Sequence, residues 1–460
     1  MKITRIGAAV MMGSSFALGL ALGPGWSHVR LFGVSPAAAE GSDPQQNYRF
    51  LSLFSNVLAR VEADYVEPVS GRTLVENAMN GMLTGLDPHS SYMNEQEWRE
   101  MESETSGHFG GIGLELTDKG GMLQVISPID GTPAAEAGIR PGDLITAVNG
   151  KSIEGVSLND AVTEMRGPPN TKVGLILKRE GLDSPITLTL IRQIIHIHNV
   201  KSEMMGDIGV IRISEFTEQT DDGVRAAMKA LRAGSGGRLR GLILDLRNDP
   251  GGLLDQAIAV SNDFLDSGGI VSTRGRHLDD NQSWSAKRGH DISGALPIVV
   301  LTNNGTASAS EIVAGALQDN RRALVLGVQS FGKGSVQTLF PLQGDGAIRL
   351  TTARYYTPSG RSIQGVGITP NVEVEETRTP PPHFGPEREA DLRHILTNDA
   401  TPQSNPPPPA DLPAVVQQIP RLPPVGWPKL DHAKPATDYQ LQQGLVLVRG
   451  MAAGPVAASR

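Results

Sequence analysis

Apolar positions fall into three textures along the chain. From 46 to 103 they recur at helical spacing. In FLSLFSNVLARVEADYV, residues 50, 51, 53, 54, 57, 58 and 61 are apolar, and TLVENAMNGMLTGL (73–86) repeats the pattern before it stops at DPHSSY. This stretch predicts helices that pack or dimerise and carry no chemistry. From 108 to about 194, short strands are separated by Gly turns: GGIGLEL (110–116), GMLQVISPIDGTPAAEAG (121–138) and IRPGDLITAVNG (139–150). A short helix, SLNDAVTEMRG (157–167), and a strand, TKVGLILKRE (171–180), follow. From 207 to about 375 the chain alternates. IGVIRI (208–213), GLILDL (241–246), PIVVL (297–301) and RALVLG (322–327) are apolar runs of the buried-strand type, with helical stretches at 216–233, 252–265 and 309–320 between them. Such alternation implies a largely parallel α/β core. Ligands of such sheets sit beyond the C-terminal ends of strands, so RNDPGG (247–252) and NNGTASAS (303–310), each directly after a strand, belong on that rim. After about 376, TRTPPPHFGPERE and TPQSNPPPPADLP read as extended or disordered Pro-rich linkers, and DYQLQQGLVLVRGM (438–451) as a closing amphipathic helix.

At 460 residues the chain is too long for one ordinary core and fits two or three domains. Its net charge of −8 argues against a nucleic-acid partner, which calls for a basic field. The absence of cysteine excludes thiolate catalysis and thiolate zinc sites. Lys2 and Arg5 precede the apolar run 6–22, which has the form of an export signal, and Ala37–Ala39 offers an Ala-x-Ala cleavage site. The run is about the minimum length for a membrane span, so it is either released or kept as an anchor. In both cases the rest of the chain is expected in the periplasm or on the outer face of the inner membrane.

Chemistry concentrates in NNGTASASEI (303–312), where Thr306, Ser308 and Ser310 precede an apolar run. Ser308 to Glu311 fits S-x-x-E, which by itself describes a capping box. A helix N-terminus also favours a developing oxyanion, so a catalytic serine here depends on a base. The ten histidines offer none in a Ser-His-Asp arrangement: His89 lies in the helical region, His108 before the Gly-rich strand, His196 and His198 on a linking strand, and His290 in a loop. SFGKGSVQ (330–337) offers Lys333 between two glycines after a strand. Burial disfavours an ammonium, and a lysine so placed can serve as a base in a Ser–Lys dyad.

The Gly-rich segment, with Ile112, Gly113 and Leu114 after Gly111 and with RPGDLITAVNG behind it, resembles a PDZ domain. That resemblance assigns Gly111, Ile112, Gly113 and Leu114 to a loop that binds the terminal carboxylate of a peptide, a task that suits Gly-rich backbone. Together with LDPHSSY (86–92), RNDPGG, GTASASEI, LQDN, FGKGSVQ and YYTPSGRSIQGVGITPNVEV (355–374), the stretch from about 50 to 375 resembles the carboxyl-terminal processing peptidases, or tail-specific proteases. The resemblance implies an α/β multidomain chain: a helical N-terminal region, a PDZ domain, a largely parallel Clp/crotonase-like peptidase core and a Pro-rich C-terminal tail. The boundaries expected are 1–39 for the signal or anchor, 40–105, 106–196 (PDZ), 197–376 (peptidase), 377–437 (Pro-rich) and 438–460. It further implies Ser308 as nucleophile, Lys333 as general base, Gln337 as its holder, and Glu311 and Asp319 as supporting acids. The oxyanion donors are expected from Ala309 and from Gly251 or Gly252, with Asp249 standing where many relatives have Asn. No metal or other cofactor is required. Partners would be protein substrates with accessible C-terminal tails, with an accessory adaptor protein and a homodimer as further expectations. A non-catalytic PDZ adaptor of the envelope is the alternative; it would be expected to lack the serine or the lysine, and both are present.

Overall fold

The computed structural model describes residues 44–119, 121–156, 158–182, 184–378, 388–398, 414–431 and 434–453. The N-terminal apolar run, the Ala37–Ala39 site and much of the Pro-rich stretch lie outside these. Among the described residues no helix is long and apolar enough to cross a membrane. The chain divides into two compact units, the first ending at Leu74 and the second starting at Val75. The first contains the helix Pro44–Asp64, on which Tyr48, Phe50, Leu51, Leu53 and Val57 are exposed.

In the second unit, the Gly-rich region forms an antiparallel sheet in the order Leu114–Asp118, Leu123–Pro128, Leu144–Val148, Lys172–Lys178, Ile186–Ile191. Alternation decides which side is covered. Val173, Leu175 and Leu177 point into the core while Lys172 and Lys178 at the strand ends are exposed. Ala161 and Met165 of the helix Leu158–Met165 complete that core. The strands His108–Gly111 and Gln193–His196 pair as its stem, setting His108 opposite His196.

The alternating region builds a six-stranded sheet in the order Val200–Met205, Ile208–Ile213, Gly241–Asp245, Ile298–Thr302, Ala323–Gly327, Val372–Glu373, parallel from the second strand onward. Its four central strands are largely apolar runs because both faces are covered, whereas the edge strand Val200–Met205 carries Lys201, Ser202 and Glu203 exposed. Leu242, Leu244, Ile298 and Val300 face the helices Thr220–Gly234, Leu254–Asn262 and Ala309–Asp319. Ile243, Val299, Leu301 and Leu326 face the other way, onto Leu441, Leu445, Leu447 and Val448 of the C-terminal helix Tyr439–Ala452. Each such side chain, removed from water, contributes roughly 1.5–3 kcal/mol.

The expected boundaries differ from this architecture in two places. Ser91–Met93, placed by sequence in the helical region, pairs with Gly346–Tyr356 in a second, five-stranded sheet of the peptidase core. Parts of the Pro-rich stretch also pack: Glu389 is buried, and Val415, Val416, Ile419 and Trp427 lie against the cluster under the C-terminal helix. Proline fixes φ and removes a donor, but it leaves the side chains between prolines free to pack.

Candidate active site

Three loops leave the C-terminal ends of adjacent parallel strands: 246–253 after Gly241–Asp245, 303–308 after Ile298–Thr302, and 328–334 after Ala323–Gly327. The three hydroxyls of NNGTASAS have different surroundings. Thr306 is buried and donates to the carbonyl of Leu246 at 2.8 Å; Ser310 is buried and donates to the carbonyl of Asp249 at 3.1 Å. Both tie the serine loop to its neighbour. Ser308 alone is only half-buried, and it sits at φ 58°, ψ −115°, far from the extended conformation usual at an N-cap. A non-glycine residue held there stores strain, and the sharp strand-to-helix turn presents its side chain at the sheet rim.

Glu311, one turn into the helix, is fully buried. Its Oε2 accepts the N–H of Ser308 at 2.8 Å and of Lys333 at 2.9 Å; its Oε1 accepts the N–H of Gly332 at 2.8 Å and the hydroxyl of Ser330. Phe331 adds a second tie, donating its N–H to the carbonyl of Thr306 at 2.9 Å. Burial pushes the Glu311 carboxyl up to about 7, against the pull of these donors. Burial also lowers the Lys333 ammonium below its ordinary value; Arg349 adds to this, and the carboxylates of Glu389, Glu311 and Asp87 oppose it. Tyr355, buried, donates its hydroxyl to the carbonyl of Lys333 and faces the side chain of Ser308. Among the described residues no hydrogen bond joins the Ser308 hydroxyl to the Lys333 ammonium; the fold joins their backbones instead.

Gly251 has φ +100°, and a Cβ there would lie 2.7 Å from Ser308 Cβ and 2.8 Å from the nitrogen of Ala309, so only glycine allows this approach. Its N–H donates to Asp249 Oδ1 at 2.9 Å. Phe216 donates to the carbonyl of Gly251 and accepts from Leu253, both at 2.8 Å, which leaves the intervening N–H of Gly252 out of that ladder. Asp249 is buried, its Oδ2 has no hydrogen-bond partner among the described residues, and burial pushes its carboxyl up to about 7.

Gln337 donates to Ser335 at 3.0 Å and to Thr351 at 3.1 Å; Thr351 in turn donates to Asp87 at 3.0 Å. Gln337 lies on the strand Ser335–Leu342 that follows Lys333 and ties it to Gly346–Tyr356. Asp319 lies at the far end of the Ser308 helix, where it accepts from Arg361 at 2.8 Å and from the N–H of Ser359 at 3.0 Å. Sequence reasoning had assigned no role to Tyr355, Arg247 or His89. Arg247 is buried and forks onto Asp245 (2.8 Å) and Asp438 (2.7 Å), bolting the RNDPGG loop to the start of the C-terminal helix. An arginine directly after a buried strand was the available signal. Among the described residues no group of three or more His, Asp or Glu is placed to hold a metal ion.

At the PDZ loop, Ile112 is buried, its carbonyl accepting from Ala134 at 2.9 Å, and the carbonyl of Gly113 accepts from Ile129 at 3.0 Å. Among the described residues the N–H groups of Ile112 and Gly113 donate to no other main-chain carbonyl. Gly111 belongs to the stem strand and Leu114 opens the next one.

Comparison with known proteins agrees with this layout. Residues 207–374 match Peptidase family S41, residues 124–179 match the PDZ domain, and residues 34–97 match the activating protease CtpB N-terminal domain. The chain is 51% identical over 336 residues to the carboxy-terminal-processing protease of Bartonella bacilliformis, covering 73% of this chain and 77% of that one. It is 37% identical over 327 residues to a probable CtpA-like serine protease of Staphylococcus aureus, covering 71% and 65%. Among solved structures, the photosystem II D1 C-terminal processing protease aligns at 30% identity and a TM-score of 0.41, covering 70% of this chain and 92% of that one. The 51% identity to the Bartonella protease, over 73% of this chain and 77% of that one, shows that the chain belongs to the S41 carboxy-terminal-processing proteases: it is a serine peptidase with a PDZ domain that acts on proteins.

Proposed function

We propose that the peptidase works through a Ser308–Lys333 dyad on substrates captured by their C-terminal tails. The tail carboxylate docks on the loop Gly111–Leu114, through the N–H groups of Ile112 and Gly113, and the chain reaches the rim of the parallel sheet in extended form. Neutral Lys333 takes the proton of Ser308 as its oxygen attacks the peptide carbonyl. The oxyanion is held by the N–H of Ala309, at the positive end of its helix, and by the N–H of Gly252. Gly251 provides the close approach. Lys333 then returns the proton to the leaving amine, and water releases the acyl-enzyme. Glu311 aligns the two loops, Gln337 holds the strand behind the lysine, and Asp319 anchors the far end of the serine helix. One carboxylate gripping the N–H of both Ser308 and Lys333, beside a lysine whose ammonium is disfavoured by burial, supports this pairing above all else.

The same proposal places the enzyme outside the cytoplasm, in the periplasm or at the outer face of the inner membrane, acting on envelope proteins. It rests on the charged and apolar N-terminus. The exposed apolar residues of Pro44–Asp64 favour a homodimer or an adaptor contact. The test is an unfolded reporter with a small apolar C-terminal tail, offered with a free and with an amidated terminus. Faster cleavage of the free form is expected; equal cleavage of both would remove the tail-capture step.

A further inference from the structure

Behind Lys333 lies a carboxylate from outside the peptidase segment. Glu389 is fully buried on the short segment 388–398, which follows the core. Its N–H donates to the carbonyl of Phe331 at 3.0 Å, in the loop that carries the lysine. Its Oε1 accepts from Gln364 Nε2 at 2.9 Å, and Gln364 Oε1 accepts the N–H of Gly334 at 2.9 Å. Glu389 thus grips the residue two before Lys333 directly and the residue after it through one side chain. On its other side, His89 Nε2 lies 2.9 Å from both carboxylate oxygens, so that nitrogen carries a proton toward them. His89 comes from LDPHSSY, whose Asp87 also bears on the lysine.

A carboxylate removed from water is costly to hold unless it is paired and hydrogen-bonded. This one is spent on the lysine loop. We propose that Glu389, with His89, is a positioning residue of the protease: it fixes the loop 331–334 and sets part of the negative charge that Lys333 faces. The inference rests on Lys333 being the base. The charged groups that bear on the lysine are Arg349 on the strand Gly346–Tyr356, Asp87 before Ser91–Met93, Glu311 on the serine helix, and Glu389 itself. Glu389 opposes loss of the proton and Arg349 favours it. Removing the Glu389 charge therefore makes the lysine easier to deprotonate, whereas removing its side chain also frees the loop.

The experiment is a pH profile of kcat for a fluorogenic peptide with a free apolar C-terminus, using the full chain and the variants Glu389→Gln and Glu389→Ala. Gln keeps the acceptor for Gln364 and loses the charge. The acidic limb of the Gln variant is expected to move to lower pH, and the plateau of the Ala variant to fall ~10–100-fold, with Gln restoring most of that loss. A purely structural role would lower both plateaus and leave the limb in place. An unmoved limb in the Gln variant, or a parental plateau in the Ala variant, overturns the proposal. Failure of the dyad itself reads out separately, as hydrolysis that persists in Ser308→Ala or Lys333→Ala.

Discussion

Glu311 Oε2 accepts the backbone N–H of Lys333 at 2.9 Å, while the same oxygen holds the N–H of Ser308 at 2.8 Å. Residues 308 and 333, 25 apart in sequence, are thereby registered by one buried oxygen, with the Phe331–Thr306 main-chain bond beside it. Alanine at 311 would orphan several buried donors, each worth about 1–3 kcal/mol. Glu311→Ala is expected to lower kcat ~100-fold or more and to depress Tm, with Glu311→Gln intermediate because its amide nitrogen cannot accept. Steady-state kinetics and thermal melts of the three proteins check this.

Asp249 gives stability a pH dependence. Its folded carboxyl keeps its proton up to about 7, whereas an ordinary one loses it near 3.8. Folding therefore takes up a proton between those values. The resulting stabilisation is complete below the lower value and is lost as pH rises through the upper one. Glu311, raised from 4.5 to about 7, acts in the same direction. Asp249→Asn keeps an acceptor for Gly251 and removes one ionisation. Urea midpoints are expected to favour Asn over the parent by on the order of a few kcal/mol at about pH 8, with little of that difference left below about pH 4.

Gly113 tests the proposed tail-binding loop. It has φ +77°, and a Cβ there would lie 2.4 Å from the Thr132 side chain. Gly113→Ala must therefore shift the loop. KM for a reporter with a free C-terminus should rise about tenfold with a smaller change in kcat, and the variant should lose its preference for the free over the amidated terminus.

Asp319 and Arg361 form a buried pair at 2.8 Å. Breaking it by Asp319→Ala is expected to cost about 3–5 kcal/mol, read as a lower Tm. The pH at which activity reaches half its plateau should stay where it is in the parent, because Asp319 faces Arg361 and Ser359 rather than the lysine.

The four inner strands of the central sheet were legible because they are buried on both faces and read as apolar runs; the edge strands Val200–Met205 and Val372–Glu373, one polar and exposed and the other two residues long, carry no such pattern. The serine and lysine loops were legible because each follows one of the inner strands. The capping signature of Ser308–Glu311 was legible too, but not its second use, since nothing local shows that Glu311 also reaches Gly332 and Lys333. Glu389 and the residues around Trp427 were hidden by the prolines beside them, which announce extended backbone and say nothing of what packs between. His89 was hidden by its helical neighbours: its partner stands 300 positions away. That Asp249 takes the N–H of Gly251, while the Phe216 ladder passes over that of Gly252, rests on contacts that no local pattern announces.

The most direct measurement is kcat/KM on the free-tailed reporter for the parent, Ser308→Ala and Lys333→Ala, each with and without a metal chelator. A Ser–Lys dyad predicts that the parent cuts equally well with chelator present and that both variants lose activity by at least ~1000-fold. Cleavage that survives either substitution, or that chelator abolishes in the parent, would contradict it.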